Sequence, residues 1–488
     1  MYRQGLGDCF LLTFEQEDSE PVNMLIDCGL LQGTPDGSKI MKQVVANIRD
    51  SLTKTTGNGA SAKKLLEFVL LTHEHADHTS GFTSAKDEFE DIEFGRVWTS
   101  WLDDKSHPDY MEVRKQFRKQ ILGLTAAIAR MTSDASLDLK AQINAILDDF
   151  FDKELLGAGE DLEKRSAAWA FVLDRSSTQP EYFMPGRTFT VPGLEAFRFY
   201  ILGPPLNYQT FSSVDPPDDE TYRPGNSKLA IAESFFAAVA GSSDLFDAEL
   251  CQPFEPHVRI SSAVAEDASA DPFFTDRYGF GTAPNDWRRI GDDWLMTAGS
   301  LALNLDNYTN NTCLAIAIEI VDSGKVLLFP GDAQFANWNS WKTLVFDVPD
   351  ANGATKKVTV KDLLNRTVFY KVGHHGSHNA TLKTHGLELM NDPNLVAMIP
   401  VDRDMAKSKT SKTNPNGWEM PEANLFDTLV KHTRGRIVIA DEVDKTQLNS
   451  RCTDSDFINR VRFDESLFTG AVAIKKNEPM YVELTIEN

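Results

Sequence analysis

The run Thr72-His73-Glu74-His75-Ala76-Asp77-His78 follows directly on the apolar stretch Phe68-Val69-Leu70-Leu71, and five of its seven residues are metal-coordinating types. A helix presents ligands on one face at i and i+4, so His73 and His75 share a side only where the backbone is extended at a strand end. Asp77 and His78 lie beyond the turn and can face a second ion. Zinc and manganese accept imidazole and carboxylate ligands, and two such ions close together generate and clamp a hydroxide. The loop therefore predicts a metal site and suggests hydrolysis.

Two further ligand clusters stand at predicted strand ends. Lys325-Val326-Leu327-Leu328-Phe329 leads into Pro330-Gly331-Asp332-Ala333, and Thr367-Val368-Phe369-Tyr370-Lys371-Val372 leads into Gly373-His374-His375-Gly376-Ser377. Apolar β-rich runs of this kind are strands covered on both faces, and loops at their ends are where a rigid sheet holds sites.

The three-part pattern resembles the metallo-β-lactamase superfamily, whose H-x-H-x-D-H signature is met from His73 to His78. It is most similar to the hydrolase domain of ComEC-type DNA-uptake proteins and their soluble relatives. Their G-x-G-D segment corresponds to Gly5-Leu6-Gly7-Asp8 and their I-D-x-G strand end to Ile26-Asp27-Cys28-Gly29. The N-x-x-S/T-like segment corresponds to Asn310-Asn311-Thr312-Cys313, followed by the G-D-A and K-V-x-H-H-G-S turns.

The resemblance implies an α/β fold, a four-layer αβ/βα sandwich with two large insertions. Residues 1–100 form the first part of its core, 101–182 a helical cap insertion, 183–205 core strands, 206–295 a second, partly irregular insertion, and 296–488 the second part of the core with its C-terminal tail. It also implies two divalent ions, zinc or manganese. His73 and His75 bind one, Asp77 and His78 the other, and Asp332 bridges them. One of His374 and His375 ligates the second ion while its neighbour faces the substrate; the working assignment gives His375 to the metal and His374 to catalysis. Many relatives carry another histidine shortly before the G-D turn, but none occurs here between His257 and His374. Asn311, Asp306 or water is left to fill that place, which makes site one the weaker.

Asp8, Asp27 and Asn311 are expected to support the ligands, as metal sites usually require, with simple turn capping as the alternative for Asp27. Catalysis is expected from Asp77 or Asp332, orienting the nucleophile or taking its proton, together with His374 and Ser377. Ser377 either contacts a phosphate oxygen or caps a helix after it. The implied function is a phosphodiesterase or nuclease using a metal-bound hydroxide. A hydrolase of another ester class (lactone, thioester or phosphocholine ester) and a non-catalytic regulatory module keeping the fold are the alternatives.

Composition narrows this further. With 49 basic against 72 acidic residues the net charge is −23, and an acidic chain grips long nucleic acid poorly, because that grip is mostly phosphate neutralisation. Two basic groups occur, Arg114, Lys115, Arg118 and Lys119 on a predicted helix and Lys407, Lys409 and Lys412 on a loop. Both read as solvated faces ahead of substrate clamps. The expected substrates are phosphate-containing small molecules or short or single-stranded nucleic acid.

The five cysteines, Cys9, Cys28, Cys251, Cys313 and Cys452, are odd in number and widely spaced. They read as reduced residues of a cytoplasmic protein. No apolar run reaches membrane length and no signal peptide is read at the N-terminus. The sequence names no protein partner. Apolar residues at helical spacing from Val113 to Met131 predict a cap helix, with helical composition continuing over 137–156 and 162–173. His107 and His257, inside the insertions, read as surface or local hydrogen-bonding residues, and His432 as helix-terminal.

Overall fold

The computed structural model describes residues 1–16, 19–57, 62–131, 134–211, 216–222, 271–279, 298–349, 353–410, 414–470, 475 and 477–488. Most of the stretch read as a second insertion, with Cys251 and His257, lies outside the described residues, as does Lys412.

The first sheet is centred on two strands, Ser19–Ile26 and Lys63–Leu70, whose C-terminal halves are buried on both faces. It contains β1 (Phe10–Gln16), β2 (Ser19–Ile26), β3 (Thr55–Thr56), β4 (Lys63–Leu70), β5 (Ile92–Ser100) and β6 (Glu181–Phe183) in the order β1-β2-β4-β5-β6, with β3 on β4. β1 and β2 form an antiparallel hairpin, whereas β2, β4, β5 and β6 run parallel, with Ile26 beside Leu70, Leu70 beside Trp98 and Ser100 beside Phe183. Parallel pairing aligns their C-terminal ends on one edge, so Asp27 and the His73–His78 loop emerge side by side.

The second sheet contains β7 (Thr188–Thr190), β8 (Phe197–Ile201), β9 (Ile316–Ile320), β10 (Val326–Phe329), β13 (Thr367–Lys371), β14 (Val396–Ile399) and β15 (Ile437–Ile439) in the order β15-β14-β13-β10-β9-β8-β7. β11 (Val345–Pro349) and β12 (Thr355–Thr359) form a separate hairpin that the sequence reading did not foresee. β10 and β13 are parallel, with Leu328 beside Tyr370, which sets the Asp332 and His374-His375 turns next to each other.

Three apolar clusters show how these parts stack. Phe68, Leu70, Trp98 and Phe183 of the first sheet share one core with Phe199, Ile201, Ile316, Ile318 and Phe329 of the second. On the outer side of the first sheet, Leu66, Val69 and Val97 pack against helices α1 (Gly37–Ser51), α2 (Ala76–Ser84) and the later helix α6 (Ala167–Arg175). On the outer side of the second, Tyr200, Leu328 and Ala397 pack with Leu363, Leu364, Leu425 and Leu429. The architecture is mixed α/β, two facing sheets with helices outside each.

The 101–182 stretch contains α3 (Tyr110–Arg130), α4 (Asp134–Phe150), α5 (Lys153–Leu156) and α6. Val113, Phe117, Ile121, Leu124 and Met131 are buried along one face of α3, as their spacing predicts. α3 and α4 both pack against the Ala298–Asn310 helix. Arg114 and Arg118 correct the solvated-face reading. Both are buried, Arg114 donating to Leu162 O and Lys164 O and Arg118 to Leu155 O, because a guanidinium offers enough donors to tie loop carbonyls inside the cap. Lys409 pairs with Asp149 at 2.7 Å, fastening the cap to the C-terminal part. His107 lies against Trp101 and accepts from Asp109 N, while His432 sits in the last turn of the Ala423–Thr433 helix. Cys9, Cys28, Cys313 and Cys452 are free and buried. Among the described residues no helix is long and apolar enough to cross a membrane.

Phe199 is fully buried between the sheets and touches Trp98 and Phe189. Phe199→Ala is expected to cost about 3–5 kcal/mol in urea unfolding, whereas Met111→Ala on the exposed side of α3 should change stability by less than about 0.5 kcal/mol.

Candidate metal centre

Between β4 and α2 the chain bends at Glu74, so His73 and His75 precede the helix on either side of the bend while Asp77 and His78 occupy its first turn. Asp27 holds this loop from below. Its Oδ1 accepts from Thr72 N at 2.9 Å, and its Oδ2 accepts from Thr72 Oγ1 at 2.6 Å and meets His78 Nδ1 at 2.7 Å. Glycine is required beneath, since a Cβ on Gly29 would lie 2.2 Å from the Asp77 carbonyl and one on Gly7 2.6 Å from the same oxygen. The Gly5–Asp8 segment can then lie against the helix start, with Asp8 N donating to Asp77 O at 2.9 Å.

The ligand atoms of Asp77, His78, Asp332 and His375 all lie within 4.8 Å of one another, and all four residues are buried. His375 Nε2 is 2.9 Å from Asp77 Oδ2, and His78 Nε2 is 3.0 Å from Asp332 Oδ2. Asp77 Oδ1 is buried without a hydrogen-bond partner, His78 Nε2 and Asp332 Oδ2 have only each other, and His75 Nε2 and Asp306 Oδ1 nearby are unpaired. Buried polar atoms are seldom left so. The ligand atoms of Asp77, His78, Asp332 and His375 converge, and this group could hold a metal ion.

His73 and His75 stand beside that group. His73 Nε2 and His75 Nδ1 face each other at 3.0 Å, and Thr72 Oγ1 meets His73 Nδ1 at 3.0 Å. Asp332 presents one oxygen inward because its other oxygen, Oδ1, accepts from Lys371 Nζ at 2.9 Å and His374 N at 2.8 Å. His374 lies outside the four-residue group, with Gln334 Nε2 3.3 Å from its Nδ1. Asp27, His374 and His375 have φ of 54°, 44° and 54°, so half of the six non-glycine left-handed residues described lie here. Such backbone is costly and collects at functional sites.

Burial pushes His73 well below the ordinary imidazole range, His75 to about 3 and His374 to about 4, leaving neutral rings. Burial acts the same way on His78, but Asp332, Asp8, Asp27 and Asp77 outweigh it and hold His78 well above that range. His375 is raised too, burial being outweighed by the Asp77 hydrogen bond and by Asp332. Burial would raise Asp332, yet Lys371 and His78 keep it well below the carboxylate range. Burial raises Asp306 far above it, with Asp77 and Asp332 adding to the rise.

Of the supporting residues read from sequence, Asp8 and Asp27 are in place. Asp8 pairs with Lys371 and stands 3.8 Å from His78 Nδ1. Asn311 is engaged elsewhere, its Nδ2 donating to Phe211 O and its Oδ1 accepting from Asn337 N, because the helix ends at Asn310 and the chain turns there. Ser377 caps no helix. A turn follows it, and its Oγ donates to Asn379 Oδ1 at 2.9 Å. Lys371 is the functional residue that the sequence reading missed, although it stood in the quoted K-V-x-H-H-G-S turn. Glu74 faces away from the cluster, accepting from Ser166 N at 2.6 Å with Arg165 and Arg114 at 3.4 and 3.5 Å. Comparisons with family models, curated proteins and solved structures find no match to this chain.

Two outcomes are expected. Asp332→Ala should lose more bound zinc than His73→Ala by elemental analysis, because Asp332 belongs to the four-residue group and His73 does not. Zinc titration followed calorimetrically in buffers of different ionisation enthalpy should show protons released at pH 7. His78 and His375 are raised above the ordinary imidazole range, so a metal must compete with protons for them, and affinity should fall as pH drops and rise as pH increases.

Proposed function

We propose that this chain is a metal-dependent hydrolase of the metallo-β-lactamase fold, acting as a phosphodiesterase or nuclease on phosphate-containing small molecules or short or single-stranded nucleic acid. The facing sheets with helices outside support the four-layer αβ/βα sandwich. The observation that carries the reading is the buried convergence of ligand atoms from Asp77, His78, Asp332 and His375.

Asp77, His78, Asp332 and His375 would hold one divalent ion, zinc or manganese, and His73 with His75 a second, weaker one. Such ions, when bound, acidify water and stabilise negative charge developing on oxygen. The chain's own groups do the rest. Asp77 Oδ1, buried and unpaired, is the acceptor for the proton of an attacking water. Lys371 keeps Asp332 ionised and turned inward. His374, neutral and outside the ligand group, offers a ring N–H to a phosphate oxygen, and Ser377 offers its hydroxyl once released from Asn379.

Access supports small substrates. The His75 ring lies 5.4 Å from Phe150 and 5.0 Å from Phe151, so the end of α4 reaches the metal loop. Phe150 in turn stacks on Trp418 at 5.7 Å. This wall and the charge of −23 disfavour the interior of duplex DNA.

Hydrolysis of bis-p-nitrophenyl phosphate with manganese or zinc is expected, and its loss in His78→Ala. Dinucleotides, cyclic nucleotides and single strands should be cleaved in preference to closed circular duplex. Rapid nicking of the circle with small substrates untouched would overturn the size argument. Metal binding without hydrolysis of any of these would make the chain a binding module.

A further inference from the structure

Four imidazoles surround the candidate centre, and three have the nitrogen turned away from it occupied. His73 Nδ1 meets Thr72 Oγ1 at 3.0 Å, His78 Nδ1 meets Asp27 Oδ2 at 2.7 Å, and His375 Nδ1 donates to Pro400 O at 2.7 Å. Their Nε2 atoms are thereby directed inward. His75 is reversed, because its Nδ1 is the atom that faces His73 Nε2. Its outward nitrogen is Nε2, which is buried and partnerless.

The group nearest that nitrogen comes from a different part of the fold. Asp306 lies on the Ala298–Asn310 helix, and its Oδ1 stands 3.8 Å from His75 Nε2. Asp306 is 7% exposed and His75 1%, and Asp306 Oδ1 is likewise without a partner. Its other oxygen has a long contact of 3.5 Å with Asn310 Nδ2. Phe150 and Phe151 flank the ring, so an apolar wall stands where water would otherwise reach it. Two complementary orphans are thus sealed together, and a shift of about 1 Å brings them to hydrogen-bond distance.

We propose that Asp306 is the positioning residue of His75, accepting its Nε2–H and so turning Nδ1 toward the metal beside His73 Nε2. An unpaired buried carboxyl is costly, and the pairing supplies a reason for one at this place. The Ala298–Asn310 helix, on which the cap helices α3 and α4 pack, then sets the orientation of a ligand carried by the first sheet. The inference rests on the reading of the His73–His78 loop as a metal site, and it assigns Asp306 a role behind the ligand. The place of the absent histidine is not filled by Asp306.

The test is calorimetric titration of the metal-free chain with zinc, for wild type, Asp306→Asn and Asp306→Ala. The amide oxygen of Asn still accepts from Nε2–H. Asp306→Asn should therefore stay within a few-fold of wild type, while Asp306→Ala should weaken the lower-affinity step by about 10–100-fold and leave the tighter one unchanged. Thermal melts of the metal-free proteins should show both variants folded, so that any loss of zinc is read on intact protein. Loss of the weaker step to the same extent in both variants would show the carboxylate binding the ion directly and overturn the positioning role. Unchanged binding in Asp306→Ala would overturn it as well. A wild-type chain that takes up no zinc would instead remove the metal-site reading on which both rest.

Discussion

The ammonium of Lys371 is the clasp on which the centre depends. It stands at the end of β13, 1% exposed, paired at once with Asp8 from the first sheet and Asp332 from the second, and donating to Gly331 O at 2.9 Å. Burial works against its charge, yet Asp332 and Asp8 hold its pKa above the ordinary lysine value. The interaction crosses between sheets at the edge where all the candidate ligands emerge. Removing one partner of such a buried pair typically costs about 3–5 kcal/mol, because the other charge is left uncompensated. The same contact occupies Asp332 Oδ1 and leaves only Oδ2 for a cation.

A second tie runs from the metal loop to the cap. Glu74 looks like a ligand in a run of coordinating types, yet the cap claims both its oxygens. Oε1 accepts from the backbone at the start of α6, and Oε2 lies between Arg165 and Arg114. Arg165 also reaches Asp103 at the end of β5. The segment between His73 and His75 is therefore fixed from both sides, by Asp27 beneath and by the cap above. Any movement of α3 or α6 would be felt at the histidines.

The strands that carry the site were legible because each is an apolar run ending in a polar turn, as at Phe68 to Leu71, Lys325 to Phe329 and Thr367 to Val372. The packing of the two sheets face to face then does what no local pattern shows, bringing Asp77 and His375, 298 positions apart, to 2.9 Å. What stayed hidden has physical reasons. A lysine closing a strand run reads as a solvated end, and only the pairing of β13 with β10 buries Lys371 over Asp332. Arg114 and Arg118 follow the spacing of a solvated helix face, and what buries them is the return of 155–164 over α3. The orientations of His374 and His375 depend on left-handed backbone, which sequence does not mark for histidine. Asp306 was one of several candidates for an absent ligand, and only the placement of its helix puts it against His75.

Charge at the centre is what makes the group suited to a cation and not to an anion. Asp8, Asp27, Asp77, Asp306 and Asp332 are all buried within the same constellation, against a single lysine. The neighbouring carboxylates hold His78 and His375 above the ordinary imidazole range, and burial holds Asp306 above the carboxylate range. On the proposed reading, a divalent ion among Asp77, His78, Asp332 and His375 would compete with protons for the two imidazoles, since neutral imidazole is the form that ligates. The chain's acidity outside the centre acts on a larger scale. A net charge of −23 repels an extended polyanion along its length but a single phosphate diester only weakly. On the proposed function, a local cation and this global acidity would together favour a substrate that brings one phosphate, or a free end, to the centre.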